Sequence, residues 1–286
     1  MRGYFVRGIP KQRRSIKVQR LAFRAQRLAS SFPVFSPVPA SPLLLGITTA
    51  TASFGAAVWQ DETLQSELRL HRPRRHGARL VALVRDAMTH AEADRSALDA
   101  VALTVGPGSY TGLRIGASTA KGLCRTTGAA LVPVPTLAAL AEAARPFAPP
   151  GTLLGVVLAS RRGEVYAAAF RCEDGALASA ASPEALGSGE AARRFRDLQA
   201  EQGAESLWLV GSGVARVGDA LEGDGTERRA AQLVENAWPT AGAVARLGAA
   251  RLAAGIAPVD VATFEPRYLK SVHTTPRPQS VFEGLS

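Results

Sequence analysis

The sequence predicts an α/β layered protein built as two lobes. Three features carry that prediction. The apolar part of the chain opens with three short strand-like runs separated by polar turns. It then changes to an alternation of strand and amphipathic helix, and after a proline-glycine break near residue 150 the meander pattern starts again. At 286 residues the chain can form one large domain or two medium ones.

Taken in order, Pro42-Leu43-Leu44-Leu45-Gly46-Ile47 is an apolar run suited to a buried strand. Thr48–Ser53 is a polar turn, Phe54–Trp59 returns as a second strand, and Glu62–Leu70 alternates loosely as a third. From His76 the period changes. Leu80, Leu83, Val84, Ala87, Met88 and Ala91 recur at three- and four-residue steps, the stripe of an amphipathic helix. Leu98–Val105 is a further strand, followed by a glycine-rich loop and a helix ending near Gly128. Leu131–Val134 and Leu137–Ala144 add a strand and a helix. Three meander strands followed by this alternation are the layout of a ribonuclease-H-like lobe.

Pro149-Pro150-Gly151 marks a boundary. Beyond it, Leu153–Leu158 and Glu164–Phe170 flank Ser160-Arg161-Arg162-Gly163, a hairpin that would open a second lobe. Glu184–Leu198 is a helix candidate, Ser206–Val210 a strand, and Thr240–Ala254 an Ala-rich helix stopped by Gly255. The expected organisation is a basic extension over 1–41, a first lobe over 42–146, a smaller second lobe over 147–270 whose last helix can pack back on the first, and a tail over 271–286 without a periodic stripe.

The formal net charge is +10, but residues 1–40 hold nine Lys or Arg and no acid, so the remaining chain is nearly neutral. That segment interleaves Arg13, Arg14, Lys17, Arg20, Arg24 and Arg27 with Ile16, Val18, Leu21, Phe23 and Leu28 and ends in a Ser/Pro-rich run. Its composition fits a dispensable extension, an RNA-touching arm or a transit peptide. Cys124 and Cys172 are far apart and suggest neither a disulfide framework nor a metal knuckle. No apolar run reaches the roughly 20 residues a membrane helix needs, and the cytoplasm is the expected compartment.

The most informative stretch is Val105-Gly106-Pro107-Gly108-Ser109-Tyr110-Thr111-Gly112-Leu113-Arg114-Ile115-Gly116. Backbone amides at Gly106, Gly108, Ser109 and Thr111, beside a helix N-terminus, could hold an anion. The plainer alternative is that the glycines let the chain turn and two backbones approach. Gly112, Gly116 and Ala120 then form a row of small residues one helical turn apart, fit for an internal packing contact or a subunit contact.

Leu98–Leu103 followed by GPGSYTGLRIGASTAKGL resembles the central signature of the TsaB (YeaZ) family of bacterial tRNA-modification proteins. The resemblance extends to Leu45-Gly46-Ile47-Thr48-Thr49-Ala50-Thr51, Pro135–Leu140, Arg161–Tyr166 and Pro266-Arg267-Tyr268-Leu269-Lys270, in the family's order. It implies the two-lobed fold of the actin-like ATPases and sugar kinases. It also implies pairing with TsaD through the first-lobe helices, or with a second copy in isolation, with the ATPase TsaE joining. The assembly would move a threonylcarbamoyl group onto the tRNA adenosine beside the anticodon, so that tRNA is met through the complex. The implied interface is the helix of His76, Leu80, Leu83, Val84 and Ala87 beside the helix of Gly112, Arg114, Ile115, Gly116, Ala117 and Lys121. Some of the leucines must cover their own sheet, which makes Gly112 and Gly116 the better interface candidates.

Chemistry is read mainly from substitutions. Where actin-like enzymes carry hairpin-tip aspartates, this chain resembles the pattern but holds Thr48 and Ala159, which can act neither as general base nor as hard-cation ligand. The region that holds a histidine pair in TsaD reads Pro135-Thr136-Leu137-Ala138-Ala139 here. His71, His76, His90 and His273 make no metal-ligand spacing, and Ser109 is not in a nucleophile elbow. The chain therefore reads as a pseudo-enzyme with no catalytic residue, cofactor or metal of its own. Two other readings stand beside it: an active actin-like enzyme, either metallopeptidase or small-molecule kinase, and an RNA-binding module acting through the basic extension.

Overall fold

The protein was analysed as a computed structural model that describes residues 41–71, 76–160, 163–173, 175–222 and 231–269. The basic extension up to residue 40, the side chain of His76, Arg161, Arg162 and the expected tail over 271–286 lie outside the described residues.

The first sheet is a meander followed by crossovers. Strands β1 (Leu44–Thr48), β2 (Ser53–Gln60) and β3 (Thr63–His71) run antiparallel to one another. Helix α1 (His76–His90) then leads to β4 (Ala100–Thr104), which pairs parallel with β1, and α2 (Tyr110–Thr127) leads to β5 (Ala130–Val134), parallel with β4. The order is β3-β2-β1-β4-β5. The alternation of a strand decides what each face meets. Leu43, Leu45, Ile47, Val101, Leu103 and Leu131 point to one side, where Leu80, Leu83, Val84, Ala87 and Met88 of α1 and Ala117, Ala120 and Cys124 of α2 cover them. Leu44, Ala100, Ala102, Ala130, Val132 and Val134 point to the other side.

After α3 (Thr136–Ala144), the second sheet repeats the plan. Strands β6 (Leu153–Ala159), β7 (Glu164–Glu173) and β8 (Ala176–Gly187) are antiparallel. Helix α4 (Ser188–Glu201) precedes β9 (Leu207–Val210), and α5 (Val214–Glu222) precedes the short β10 (Gln232–Val234), both strands parallel to β6. The order β10-β9-β6-β7-β8 is that of the first sheet once strands are counted from the start of each.

The two sheets exchange helices. Leu137, Leu140, Ala141 and Ala144 of α3 pack on Leu154, Val156, Leu158 and Val210 of the second sheet. Helix α6 (Ala241–Ala253), capped by the Thr240 hydroxyl and followed by Gly255 at φ +72°, packs on the first sheet through Val244. Its small residues permit close approach: a Cβ on Gly248 would stand 2.5 Å from the Ala102 Cβ. Buried Glu142 of α3 bonds Arg145, which caps the same helix, and Arg246 of α6, tying the exchanged helices together. The C-terminal segment returns to the first lobe, where Val259 pairs with Leu131 beyond β5.

The second half of the chain departs from the expected elements. The helix expected from Glu184 begins at Ser188, because residues 184–187 finish β8. That strand is Ala- and Ser-rich, contains Pro183 and pairs irregularly with β7 at the sheet edge, where neither strong apolar alternation nor full burial is required. The short α5 and β10 were not anticipated.

Candidate functional site

The signature loop is built into the fold from both sides. Strand β4 ends at Thr104, Gly106 takes φ +121°, and the Ser109 side chain caps α2 by accepting from the Gly112 amide at 3.2 Å. The Gly106 amide donates to Thr136 Oγ1 at 3.1 Å, and the Ser109 amide donates to the Ala50 carbonyl at 2.7 Å. Two donors that an anion would use at Gly106 and Ser109 are thus spent internally. Gly108 lies against the β1–β2 turn, where a Cβ would stand 2.3 Å from the Ala50 oxygen, and Thr111 is exposed.

The row of small residues faces inward, which corrects the interface assignment of Gly112 and Gly116. A Cβ on Gly112 would stand 2.1 Å from the Thr49 carbonyl oxygen; one on Gly116 would stand 2.3 Å from Thr49 Oγ1 and 3.0 Å from Leu103 Cδ1. The glycines let the β1–β2 turn sit directly on α2, closer than any side chain would allow. Leu80, Leu83, Val84, Ala87 and Ala117 are also core, none more than 7% exposed, so they have no surface left for a partner to cover. Of the expected interface set, Arg114 is exposed, and Ile115 and Lys121 are half-buried, the latter donating to the Ala262 carbonyl at 3.1 Å. Val81, outside the apolar stripe, is 65% exposed on α1.

A second cluster joins the start of α2 to the C-terminal segment. Tyr110, the first residue of α2, meets Tyr268 from the C-terminal segment with ring centroids 5.1 Å apart and planes tilted by 37°. Arg114, one helical turn on, bonds the Tyr110 hydroxyl and holds its guanidinium 5.4 Å from that ring's centroid. The bond to Tyr110 raises the guanidinium pKa further, and burial raises that of the Tyr268 phenol. The Arg267 amide donates to the Val105 carbonyl at 2.8 Å, and only a glycine at 106 admits the Arg267 carbonyl, 2.2 Å from where a Cβ would lie. Tyr110-x3-Arg114 was visible as one helical turn; its aromatic partner lay in a distant segment with no periodicity.

The ends of β1 and β6, at the first hairpin of each sheet, carry no acid. Thr48 is fully buried at the end of β1, and its hydroxyl, like those of Thr49 and Ser53, has no hydrogen-bond partner among the described residues. Ala159 ends β6 exposed, its amide donating to Ser212 Oγ at 3.1 Å. Ser212 belongs to Gly211-Ser212-Gly213, the second sheet's copy of the signature loop: it follows β9, precedes α5, and opens with a glycine at φ +122°. Its Gly-x-Gly after an apolar run was a usable signal. Among the described residues, no group of three or more His, Cys, Asp or Glu side chains is placed to hold a metal. Both cysteines are buried and free, with burial pushing the Cys124 thiol up to about 12. No described helix is long and apolar enough to cross a membrane.

Duplicated ribonuclease-H-like sheets with exchanged helices define the two-lobed class of actin-like ATPases and sugar kinases, here with threonine and alanine at the hairpin tips. A family model described as TsaD: tRNA N6-adenosine threonylcarbamoyltransferase matches residues 70–215, half of the chain, and the chain belongs to that family. It is 32% identical to the Escherichia coli tRNA threonylcarbamoyladenosine biosynthesis protein TsaB over 50% of this chain and 61% of that one. With the Bacillus subtilis protein of the same name it shares 28% identity over 47% of this chain and 57% of that one. These matches therefore span about three fifths of the curated relatives' own length. A solved structure described as an uncharacterized protein with similarity to peptidase YeaZ from Pseudomonas aeruginosa superposes with TM-score 0.69 at 25% identity, over 80% of this chain and all of that one. The YeaZ structure from Pseudomonas aeruginosa, at 24% identity and TM-score 0.66, has the same fold. The TsaB (YeaZ) resemblance read from the motifs is borne out by these likenesses.

Proposed function

We propose that this chain is a non-catalytic subunit of the cytoplasmic machinery that transfers a threonylcarbamoyl group to the tRNA adenosine next to the anticodon, and that it works by pairing with a TsaD-type catalytic subunit. The observation that carries this reading is the pair of hairpin tips. Buried Thr48 and exposed Ala159 stand where the two-lobed enzymes use acids, and neither side chain offers a carboxylate to hold a hard cation or take a proton at neutral pH. A subunit of this kind contributes a surface instead. The available one is the outer side of the adjacent helices α1 and α2, with Val81, Arg114, Ile115 and Lys121. The ATPase TsaE and tRNA would be met through the assembled complex. An active kinase or peptidase would require an acid that the tips do not supply.

Co-purification of the full chain with the TsaD subunit of its own organism, followed by size exclusion, tests the pairing. A stable heteromeric peak is expected; separate elution at micromolar concentrations overturns the proposal.

A further inference from the structure

We propose that Tyr110, Arg114 and Tyr268 anchor the partner-binding face, and that the partner brings to them an acidic side chain beside an apolar one. This rests on the pairing proposed above and adds the C-terminal segment to the surface. Two parts of the chain far apart in sequence meet here. Tyr110 is held by the capped start of α2, and Tyr268 follows Arg267, whose main chain is fastened to Val105 and against Gly106. The cluster is therefore ordered before any partner arrives, so little side-chain freedom remains to be lost on binding.

Its composition is that of an interface anchor. Tyrosine and arginine carry disproportionate binding energy when a partner excludes water from them. Tyr110 and Tyr268 are 41% and 37% exposed as residues, leaving surface for a partner to cover. A guanidinium carries five N–H donors in a planar fork, and the Tyr110 hydroxyl engages only one nitrogen of Arg114, so the fork can still receive a carboxylate. Aromatic and arginine side chains also suit nucleic acid, but two facts favour a protein. The Tyr110 ring already carries Arg114 over it and packs at a tilt on Tyr268, which leaves less free ring face for a nucleobase to stack on. The chain beyond residue 40 is nearly neutral, so phosphates find no broad basic field.

The test is calorimetric titration of full-length wild type, Tyr268→Ala, Arg114→Ala and Arg114→Lys into the TsaD subunit, with a thermal melt of each. Tyr268→Ala and Arg114→Ala are expected to weaken pairing about tenfold or more at unchanged melting temperature. Arg114→Lys should recover only part of the loss, because an ammonium cannot form the fork. Should Tyr268→Ala melt early, Arg114→Ala decides, since its side chain is outside the core. Wild-type pairing that both alanine variants leave intact overturns the anchor alone. Wild type that does not pair overturns the pairing as well. Variants that pair normally yet lose tRNA in a gel-shift assay would reassign the cluster to nucleic acid.

Discussion

Gly116 of α2 and Thr49 of the β1–β2 turn touch across the first lobe, so that a Cβ on the glycine would stand 2.3 Å from the threonine hydroxyl oxygen. This contact turns the row of small residues from an external stripe into the seam that holds the turn against the helix. Gly116→Leu should consequently unfold the first lobe, beyond the about 1–3 kcal/mol typical of an overpacked core. Gly116→Ala should lower stability in the same direction by less. Denaturant titration followed by circular dichroism measures both, and a leucine variant as stable as wild type would return Gly116 to the surface.

Glu142 supports a second prediction. Its side chain is 3% exposed and meets Arg145 and Arg246, which are 21% and 32% exposed. Glu142→Gln removes charge-assisted bonds to both arginines and should cost about 2 kcal/mol. Arg246→Met leaves Glu142 its Arg145 partner and should cost less. Equal losses in urea melts would show that the link between α3 and α6 carries the whole contribution and that Arg145 adds nothing; an unchanged Arg246→Met variant would show that the link contributes little.

The thiol of Cys124 gives a pH signature. Its pKa is raised from 9.0 to about 12 by burial, so below pH 9 folded and unfolded chains both carry the proton. Above pH 9 the unfolded chain releases it first. Stability should therefore fall between pH 9 and 12, at up to about 1.4 kcal/mol per pH unit from this group. Comparison with Cys124→Ala isolates the effect from other titrations; parallel curves for the two proteins would contradict it.

Thr48→Asp restores an acid to the first hairpin tip. In a fully buried position the carboxylate lacks a partner, and the variant should melt well below wild type. It should show no ATP turnover, since Ala159 leaves the opposite tip without an acid. Turnover in the single variant, measured by phosphate release, would show that only one acid is missing.

Much of the fold was legible because buried parallel strands read as apolar runs: Leu44–Thr48, Ala100–Thr104 and Leu153–Ala159 have little choice of environment. β8 was hidden because an edge strand tolerates alanine, serine and Pro183. The face of Gly116 could not be read, since glycines one turn apart look the same whether they admit a neighbouring chain or the molecule's own hairpin. The Tyr110–Tyr268 contact depends on the C-terminal segment crossing back to the signature loop, a tertiary event without local pattern.

In the proposed role this chain completes a tRNA-modifying complex without performing its chemistry. The most direct measurement is threonylcarbamoyl incorporation into tRNA by TsaD and TsaE of the same organism, with and without this protein. Modification that depends on adding the chain, and that persists with Ser109→Ala and Thr51→Ala variants at its hairpin and loop, is the predicted result. Incorporation that proceeds equally without the chain would contradict the account.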